Sequence, residues 1–318
     1  EGAGMMTKQQ VVQYLLSGRG GQPRDSGAAF APANIALVKY WGKRDEALNL
    51  PATSSLSVSL GTLGTHTTVR LTQRQGDAYW LNSRRVPAGS DIALRLRAYL
   101  DLFRPRGCNF EVRTRNSIPT AAGLASSASA FAALSLALDR LFGWRLDPAQ
   151  LSVLARLGSG SACRSLFEGF AEWRAGRRAD GMDSHAVPLK ERWPELRLGL
   201  LMISARKKSI GSRAAMKRTV ETSPLYSAWP AAVRRDLRAL RKAIDARDFP
   251  TFGKVAESNA LSMHATMHAA RPPVNYWLPA SVEAMEQVWA LRAEGVEVYF
   301  TMDAGPNLKL LFQARDAD

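Results

Sequence analysis

The chain has 318 residues, 46% apolar and 22% charged, with a formal charge of +15. That is ordinary for a soluble globular protein and long enough for one large core or, by default, two moderate ones. The charge suits an anionic partner (nucleic acid, anionic lipid or a polyphosphate), but it comes from arginines spread along the chain. No tract alternates basic and aromatic residues as a single-strand binding groove would, so nucleic acid is not the expected partner.

Taken in order, residues 1–29 read as a peripheral segment, with a short helix at 8–16 and a Gly/Arg/Pro/Ser-rich linker at 18–28. Ordered structure is expected from Phe30. Residues 34–40 (NIALVKY) have strand character, and Trp41-Gly42-Lys43 turns out of it. Alternation predicts strands at 56–60 and 65–71 and a short hairpin strand at 79–81. Residues 92–104 have helical spacing, and 109–114 form a strand that feeds the stretch around which the chain is organised.

That stretch, residues 116–138, reads NSIPTAAGLASSASAFAALSLAL and holds no charged residue. Pro119 and Gly123 break its first half; from Ser126 it reads as a helix. A small-residue loop entering a helix makes an anion site, because unpaired N–H groups and the helix dipole face the ligand. Gly123 lets backbone approach closely, and Ser126, Ser127 and Ser129 add hydroxyls for phosphate oxygens or a Mg²⁺ shell. The plain alternative is a small-residue helix packed tightly on a sheet. A membrane span is rejected, since the first half is polar and broken, and no Walker loop occurs in the chain.

Asp147-Pro148 starts a helix over 149–157, and 169–173 is a strand. A domain change is expected at 185–196. Beyond it come a buried strand at 198–204 and helices at 232–246, 249–267 and 281–294. Strands at 297–302 and 308–312 flank Asp303-Ala-Gly-Pro-Asn307. Interleaved strands and helices in both halves indicate an α/β (α+β) chain of two sandwiches, with partly antiparallel sheets covered by helices. Cys108 and Cys163 stand in no C-x-x-C, and no signal-peptide or lipidation motif appears at the start, so a reduced, cytoplasmic protein is expected.

Four clusters besides the central loop carry chemistry. Lys39-Tyr40-Trp41-Gly42-Lys43 sets ammonium groups and rings at a strand end, fit for a phosphorylated ligand. Gly158-Ser159-Gly160-Ser161-Ala162-Cys163-Arg164-Ser165 offers backbone and hydroxyl donors, and Arg164 can clamp a carboxylate bidentately. Asp303 before a tight turn is either turn chemistry or a carboxylate aimed at a hydroxyl. Residues 207–213, with Ser212 and Arg213, form a basic loop able to bind a diphosphate. His264 and His268 stand at i,i+4, a zinc-binding spacing, but without the glutamate of H-E-x-x-H they read as ordinary helix residues.

These motifs resemble those of the diphosphomevalonate decarboxylase family, within the GHMP small-molecule kinase superfamily. The carriers are A-N-I-A-x-x-K-Y-W-G-K from Ala33, P-T-A-A-G-L-A-S-S-A-S from Pro119, G-S-G-S-A-x-R-S from Gly158 and T-M-D-A-G-P-N from Thr301, in the family's order. Pro51-Ala-Thr-Ser-Ser55 and Asn116-Ser-Ile118 depart from the usual pattern. The resemblance implies a two-domain GHMP-kinase-like fold with a cleft between an ATP-binding domain at 30–190 and a second domain at 191–318. It implies ATP-dependent decarboxylation of mevalonate diphosphate, with ATP and Mg²⁺ and as a homodimer. By the resemblance Asp303, Lys39 and Arg164 are catalytic. Asn34, Tyr40 to Lys43, Ser159 to Cys163, Ser212 and Arg213 bind substrate. Asn116, Ala122, Gly123, Leu124, Ser126, Ser127 and Ser129 bind ATP, with Ser127 near the metal. The alternative within the fold is a phosphomevalonate decarboxylase or a small-molecule kinase acting on a mevalonate derivative. The alternative outside it is a basic nucleic-acid-binding protein.

Overall fold

The computed structural model of the protein describes residues 6–118, 126–206 and 208–317. The loop residues Ala122, Gly123 and Leu124, and Lys207, lie outside them. Helix α1, Lys8–Leu16, forms as the sequence expects, capped by Thr7 and Gln10 in a reciprocal pair. It is not peripheral, however. Val11, Val12 and Leu15 are buried in the first core, and Lys8 Nζ donates to the Leu157 carbonyl at 3.0 Å. The following linker is tied down too, by the Arg24 N–H to the Leu141 carbonyl at 2.8 Å.

Strand β1, Gly27–Val38, starts earlier than Phe30 and runs beside β4, Ser55–Thr72. The two strands expected at 56–60 and 65–71 are therefore one. Gly61 to Gly64 looks like a turn locally, but a register shift between Pro32 and Asn34 absorbs the extra residues and pairing resumes. Between them β2, Lys43–Asp45, and β3, Leu50–Pro51, make a small hairpin. Strands β5, Ala78–Leu81, and β6, Arg84–Arg85, pair as a hairpin, and β7, Asn109–Asn116, lies parallel to β5 and antiparallel to β4. Strands β8, Phe170–Trp173, and β9, Ala186–Pro188, complete a seven-stranded mixed sheet, with order β6-β5-β7-β4-β8-β9 and β1 on β4.

Helix α2, Asp91–Leu100, is capped by Ser90. The central helix α3, Ser126–Phe142, covers β1 and β4 so closely that a methyl on Gly27 would stand 1.9 Å from the Ala137 carbonyl oxygen. The small-residue packing reading of this helix thus holds along its length. Ser129 Oγ lies 2.7 Å from Thr65 Oγ1 and Ser135 Oγ 2.8 Å from the Tyr99 hydroxyl, both inside the core. Helix α4, Pro148–Gly158, begins on the Asp147 cap with Pro148 in its first turn.

The second half builds helices α5, Ser212–Thr222, α6, Trp229–Ala246, α7, Phe249–His268, and α8, Pro279–Ala293. Its three-stranded sheet has the order β10-β12-β11, from β10, Leu196–Leu201, β11, Tyr299–Met302, and β12, Leu308–Gln313. The strand expected to be buried, β10, is an edge strand, and Leu201 and Met202 are exposed. The largest core of this half is shared with the first. It packs Ile35, Leu37 and Val38 of β1, Val58 of β4 and Phe170 of β8 against Met216, Trp229 and Phe252. Among the described residues no helix is long and apolar enough to cross a membrane.

Candidate active site

Where β1 ends the chain carries Lys39, 1% exposed. Its backbone N–H donates to Asn259 Oδ1 of α7 at 2.8 Å, and Asn259 Nδ2 donates to Asp236 Oδ2 of α6 at 2.9 Å. The ammonium donates to the Ala36 carbonyl at 2.6 Å and to Asp303 Oδ1 at 2.9 Å. Burial lowers the Lys39 pKa to about 8, against the opposing pull of Asp303.

Asp303 follows β11. Lys309 of β12 takes its second oxygen, Oδ2, at 3.1 Å. Burial alone would raise its pKa, but Lys309 and Lys39 together hold the carboxyl far below the ordinary carboxylate range. The Asp303 carbonyl lies 3.0 Å from His264 Nε2. A carbonyl only accepts, so Nε2 carries the proton; burial pushes the His264 pKa down to about 3 and keeps the ring neutral. His264 is thus more than an ordinary helix residue: it steadies the backbone of the aspartate.

Arg164, 3% exposed, stands on a short 3₁₀ helix, Gly160–Leu166. Its guanidinium bonds the Ser55 hydroxyl, Nε lies 3.4 Å from Asn34 Oδ1, and the group sits 5.9 Å over the Trp173 ring. Among the described residues it has no carboxylate partner, and burial lowers its pKa. Asn34 braces the same helix, donating from Nδ2 to Ser165 Oγ at 2.7 Å and to the Ser161 carbonyl at 3.3 Å.

Lys39, Arg164 and Asp303 line one cavity of about 390 Å³. Asn34, Tyr40, Trp41 and Lys43 share its wall; so do Ser127, Ser159, Gly160 and Ser161, and, from the start of α5, Ser212 and Arg213. The segment expected as a basic loop is therefore partly the first turn of a helix. Lys43 is half committed, to Glu46 at 2.6 Å. The Tyr40 hydroxyl is buried without a partner, and its ring meets Trp173 edge-on at 4.7 Å. Gly160 has to be glycine, since a methyl there would stand 2.9 Å from the Trp173 ring and 3.0 Å from the Tyr40 hydroxyl.

Other expected residues lie elsewhere. Gly42 forms the turn, at φ 111°, while the Tyr226 hydroxyl and Trp229 Nε1 donate to the Trp41 carbonyl at 3.1 and 2.9 Å. Ala162 and Cys163 are fully buried; Cys163 packs with Trp173 and Ala186, and burial pushes its thiol up to about 12, so neither side chain reaches the cavity. Ser129 is turned into the sheet by its bond to Thr65. Ser126 opens α3. Asn116 and Ser127 border a second, mostly apolar cavity of about 130 Å³ with Trp80, Leu81 and Phe131.

Sequence reasoning missed Arg95, Lys309, His264, Asn259 and Ser55. Arg95 of α2 lines both cavities, with Nε buried and unpartnered and its guanidinium 5.4 Å over the Phe131 ring. A lysine among the leucines of β12 was the available signal for Lys309. Among the described residues five cations, Lys39, Lys43, Arg95, Arg164 and Arg213, face the cavity of about 390 Å³ against one carboxylate, Asp303. Such a wall suits a ligand with several negative charges.

The family model of the diphosphomevalonate decarboxylase-like N-terminal domain matches residues 31–186, and that of the mevalonate 5-diphosphate decarboxylase C-terminal domain matches residues 199–318. The chain is 39% identical over 310 residues to the diphosphomevalonate decarboxylase of Candida albicans, covering 92% of this chain and 86% of that protein. It is 42% identical over 303 residues to the human diphosphomevalonate decarboxylase, covering 87% and 74%. The crystal structure of mevalonate diphosphate decarboxylase from Staphylococcus aureus superposes with a TM-score of 0.87 at 41% identity, over 92% of this chain and 89% of that one. A solved complex of MDDEF with MVAPP, AMPPCP and magnesium gives a TM-score of 0.85 at 42% identity, over 92% and 90%.

Proposed function

The chain belongs to the diphosphomevalonate decarboxylase family, and on that footing we propose how its cleft converts (R)-5-diphosphomevalonate and ATP into isopentenyl diphosphate, ADP, phosphate and CO₂. The observation that carries the reading is the convergence of Lys39, Arg164 and Asp303 on one cation-rich cavity. Lys43, Arg213 and the first turn of α5, with Ser212, receive the diphosphate. Arg164, buried with no anionic partner among the described residues, receives the carboxylate bidentately. Tyr40 and the Gly160 backbone shape the wall between these two sites.

The apolar cavity beside Trp80 and Leu81 receives the adenine, and Arg95, which lines both cavities, lies along the path of the polyphosphate. Ser127, in the first turn of α3, also borders both; Asn116, Ala122, Gly123, Leu124, Ser126 and Ser129 complete the nucleotide segment by resemblance. Among the described residues no three His, Cys, Asp or Glu side chains gather to cage a metal. A Mg²⁺ carried on the ATP phosphates, with Ser127 as protein ligand, fits this donor set, and when bound it neutralises phosphate charge.

Asp303 accepts a hydrogen bond from the tertiary hydroxyl and aims its oxygen at the γ-phosphorus. A carboxylate held so acidic is a weak base, so it orients the hydroxyl more than it removes the proton. The O–P bond forms as ADP leaves, the hydroxyl proton passes to an oxygen of the transferred phosphate, and Lys39 stabilises charge on the moving phosphoryl group. The C3–O bond then breaks with the phosphate. Arg164 keeps the carboxylate aligned so that the pair of the breaking C–C bond becomes the double bond and CO₂ departs.

Two nearby readings stay within this fold: a monophosphate substrate, or phosphorylation without decarboxylation. Assaying both mevalonate phosphates side by side with ATP, scoring CO₂ and ADP, separates them. Equal CO₂ and ADP from the diphosphate is the expected result; CO₂ from the monophosphate alone, or ADP without CO₂, would replace the reading. Asp303→Ala should lower CO₂ release by orders of magnitude, and near wild-type release would remove Asp303 from the mechanism. The same family resemblance carries a cytoplasmic location, which two unpaired cysteines suit, and a homodimer, to be weighed by light scattering.

A further inference from the structure

Lys309 lies outside every cluster that the sequence singles out, and its side chain does not line the cavity. It stands in the middle strand of the three-stranded sheet, 2% exposed, opposite Thr301 on β11 and Leu200 on β10. An ammonium at such a place is costly unless it is paired. Its one carboxylate partner among the described residues is Asp303, whose Oδ2 it holds at 3.1 Å while Lys39 holds Oδ1 at 2.9 Å.

We propose that Lys309 is a positioning residue that keeps Asp303 ionised and in place while Lys39 turns its ammonium to the transferring phosphoryl group. This rests on the decarboxylase reading above. Lys39 has three N–H groups, and two are committed, to the Ala36 carbonyl and to Asp303. If Lys39 were the only partner, each shift of its ammonium toward a phosphate would strip the aspartate of its counter-charge. The approaching polyphosphate would at the same moment favour protonating the carboxylate. A second lysine, out of reach of the ligand, removes that conflict and leaves the Lys–Asp–Lys unit with a net positive charge.

The groups facing Asp303 agree with this division. Lys39 comes from the end of β1, Lys309 from β12 and neutral His264 from α7, at the backbone carbonyl. Arg164 from the 3₁₀ helix and Lys208 before α5 act on it through space. Among the described residues only Lys309 holds an Asp303 carboxylate oxygen without also lining the cavity.

The test is a set of pH profiles of kcat and kcat/KM for ATP-dependent CO₂ release from (R)-5-diphosphomevalonate by the full chain. Lys309→Met should lower kcat by about 10- to 100-fold, leave both KM values within about threefold, and move the acid limb up by at least about one pH unit. Lys309→Arg should return the limb toward the wild-type position. In an Asp303→Asn background, Lys309→Met should change the residual kcat by less than about threefold, because no carboxylate is left to hold. A folded Lys309→Met with an unmoved limb, or an equal loss in both backgrounds, overturns the proposal. Should Lys309→Met fail to fold, Lys309→Gln keeps a donor to Oδ2 without the charge, and a wild-type limb in that variant overturns it equally. A wild-type chain that releases no CO₂ counts against the decarboxylase reading, whereas wild-type turnover with an unmoved limb counts against Lys309 alone.

Discussion

Two buried arginines, Arg156 and Arg164, should answer the same substitution in opposite ways. Arg156, fully buried, is anchored: Nε donates to the Leu48 carbonyl at 3.1 Å, and the guanidinium bonds the carbonyls of Gly181, at 2.6 Å, and Ser184. Among the described residues Arg164 has as hydrogen-bond partners only the Ser55 hydroxyl and, at 3.4 Å, Asn34. Arg156→Gln orphans the buried carbonyls of Leu48 and Ser184 and takes one of two donors from that of Gly181, which keeps the Ser184 N–H at 3.1 Å. At about 1–3 kcal/mol per orphan before relaxation, a loss of about 2–4 kcal/mol of stability is expected. Arg164→Gln gives up about 1 kcal/mol of weak bonding and relieves an unpaired buried charge of comparable or larger cost, so stability should hold or rise. Catalysis should reverse the order. A bidentate, charge-assisted clamp on a carboxylate is worth about 3–5 kcal/mol, which is about 10²- to 10⁴-fold in the rate of CO₂ release. Urea unfolding and single-turnover release of radiolabelled CO₂ measure the two effects separately. An Arg164→Gln enzyme less than tenfold slower, or as unstable as Arg156→Gln, would refute the argument that this guanidinium is kept unpaired for a ligand.

Three further outcomes follow from the same geometry. The Lys39 ammonium titrates at about 8, so kcat/KM should fall as pH rises through that value, since the deprotonated amine no longer stabilises the phosphoryl group. Lys39→Arg should lose that alkaline limb at a reduced rate, because the guanidinium stays charged. Gly42→Ala places a methyl 1.6 Å from the Tyr226 hydroxyl at a φ of 111°, so thermal unfolding should show a loss of about 2–4 kcal/mol, only partly recovered by adding Tyr226→Phe. Ser127→Ala should raise the KM for ATP about fivefold, the value of one hydrogen bond of about 1 kcal/mol, with the KM for the diphosphate unchanged.

Elements governed by neighbouring residues were legible in the sequence. Asp147 and Pro148 announce α4 because cap and first turn are set within a few residues, and the strongly amphipathic α6 follows from apolar periodicity. What depends on distant partners was not. Leu198 to Ser204 reads as a buried strand, but strand order leaves it at an edge, and Gly61 to Gly64 reads as a break inside one strand. Lys39, Arg164 and Asp303 could be singled out since their motifs are local, and all three line the cavity. Arg95 and Asn259 gave no local signal, and Lys309 only that of an ammonium among leucines, because each acquires its purpose from a side chain brought to it by folding.

The core that β1, β4 and β8 share with α5 to α7 has a consequence for any attempt to divide the gene. A cut between Pro188 and Leu196 falls where no strand is interrupted, yet it leaves Ile35, Leu37 and Phe170 bare on one fragment and Met216, Trp229 and Phe252 bare on the other. Neither fragment should stay monomeric in water when made alone. Produced together they should reassemble, each supplying the other's missing interior, so the site behaves as a complementation point and not as a border between two independent proteins.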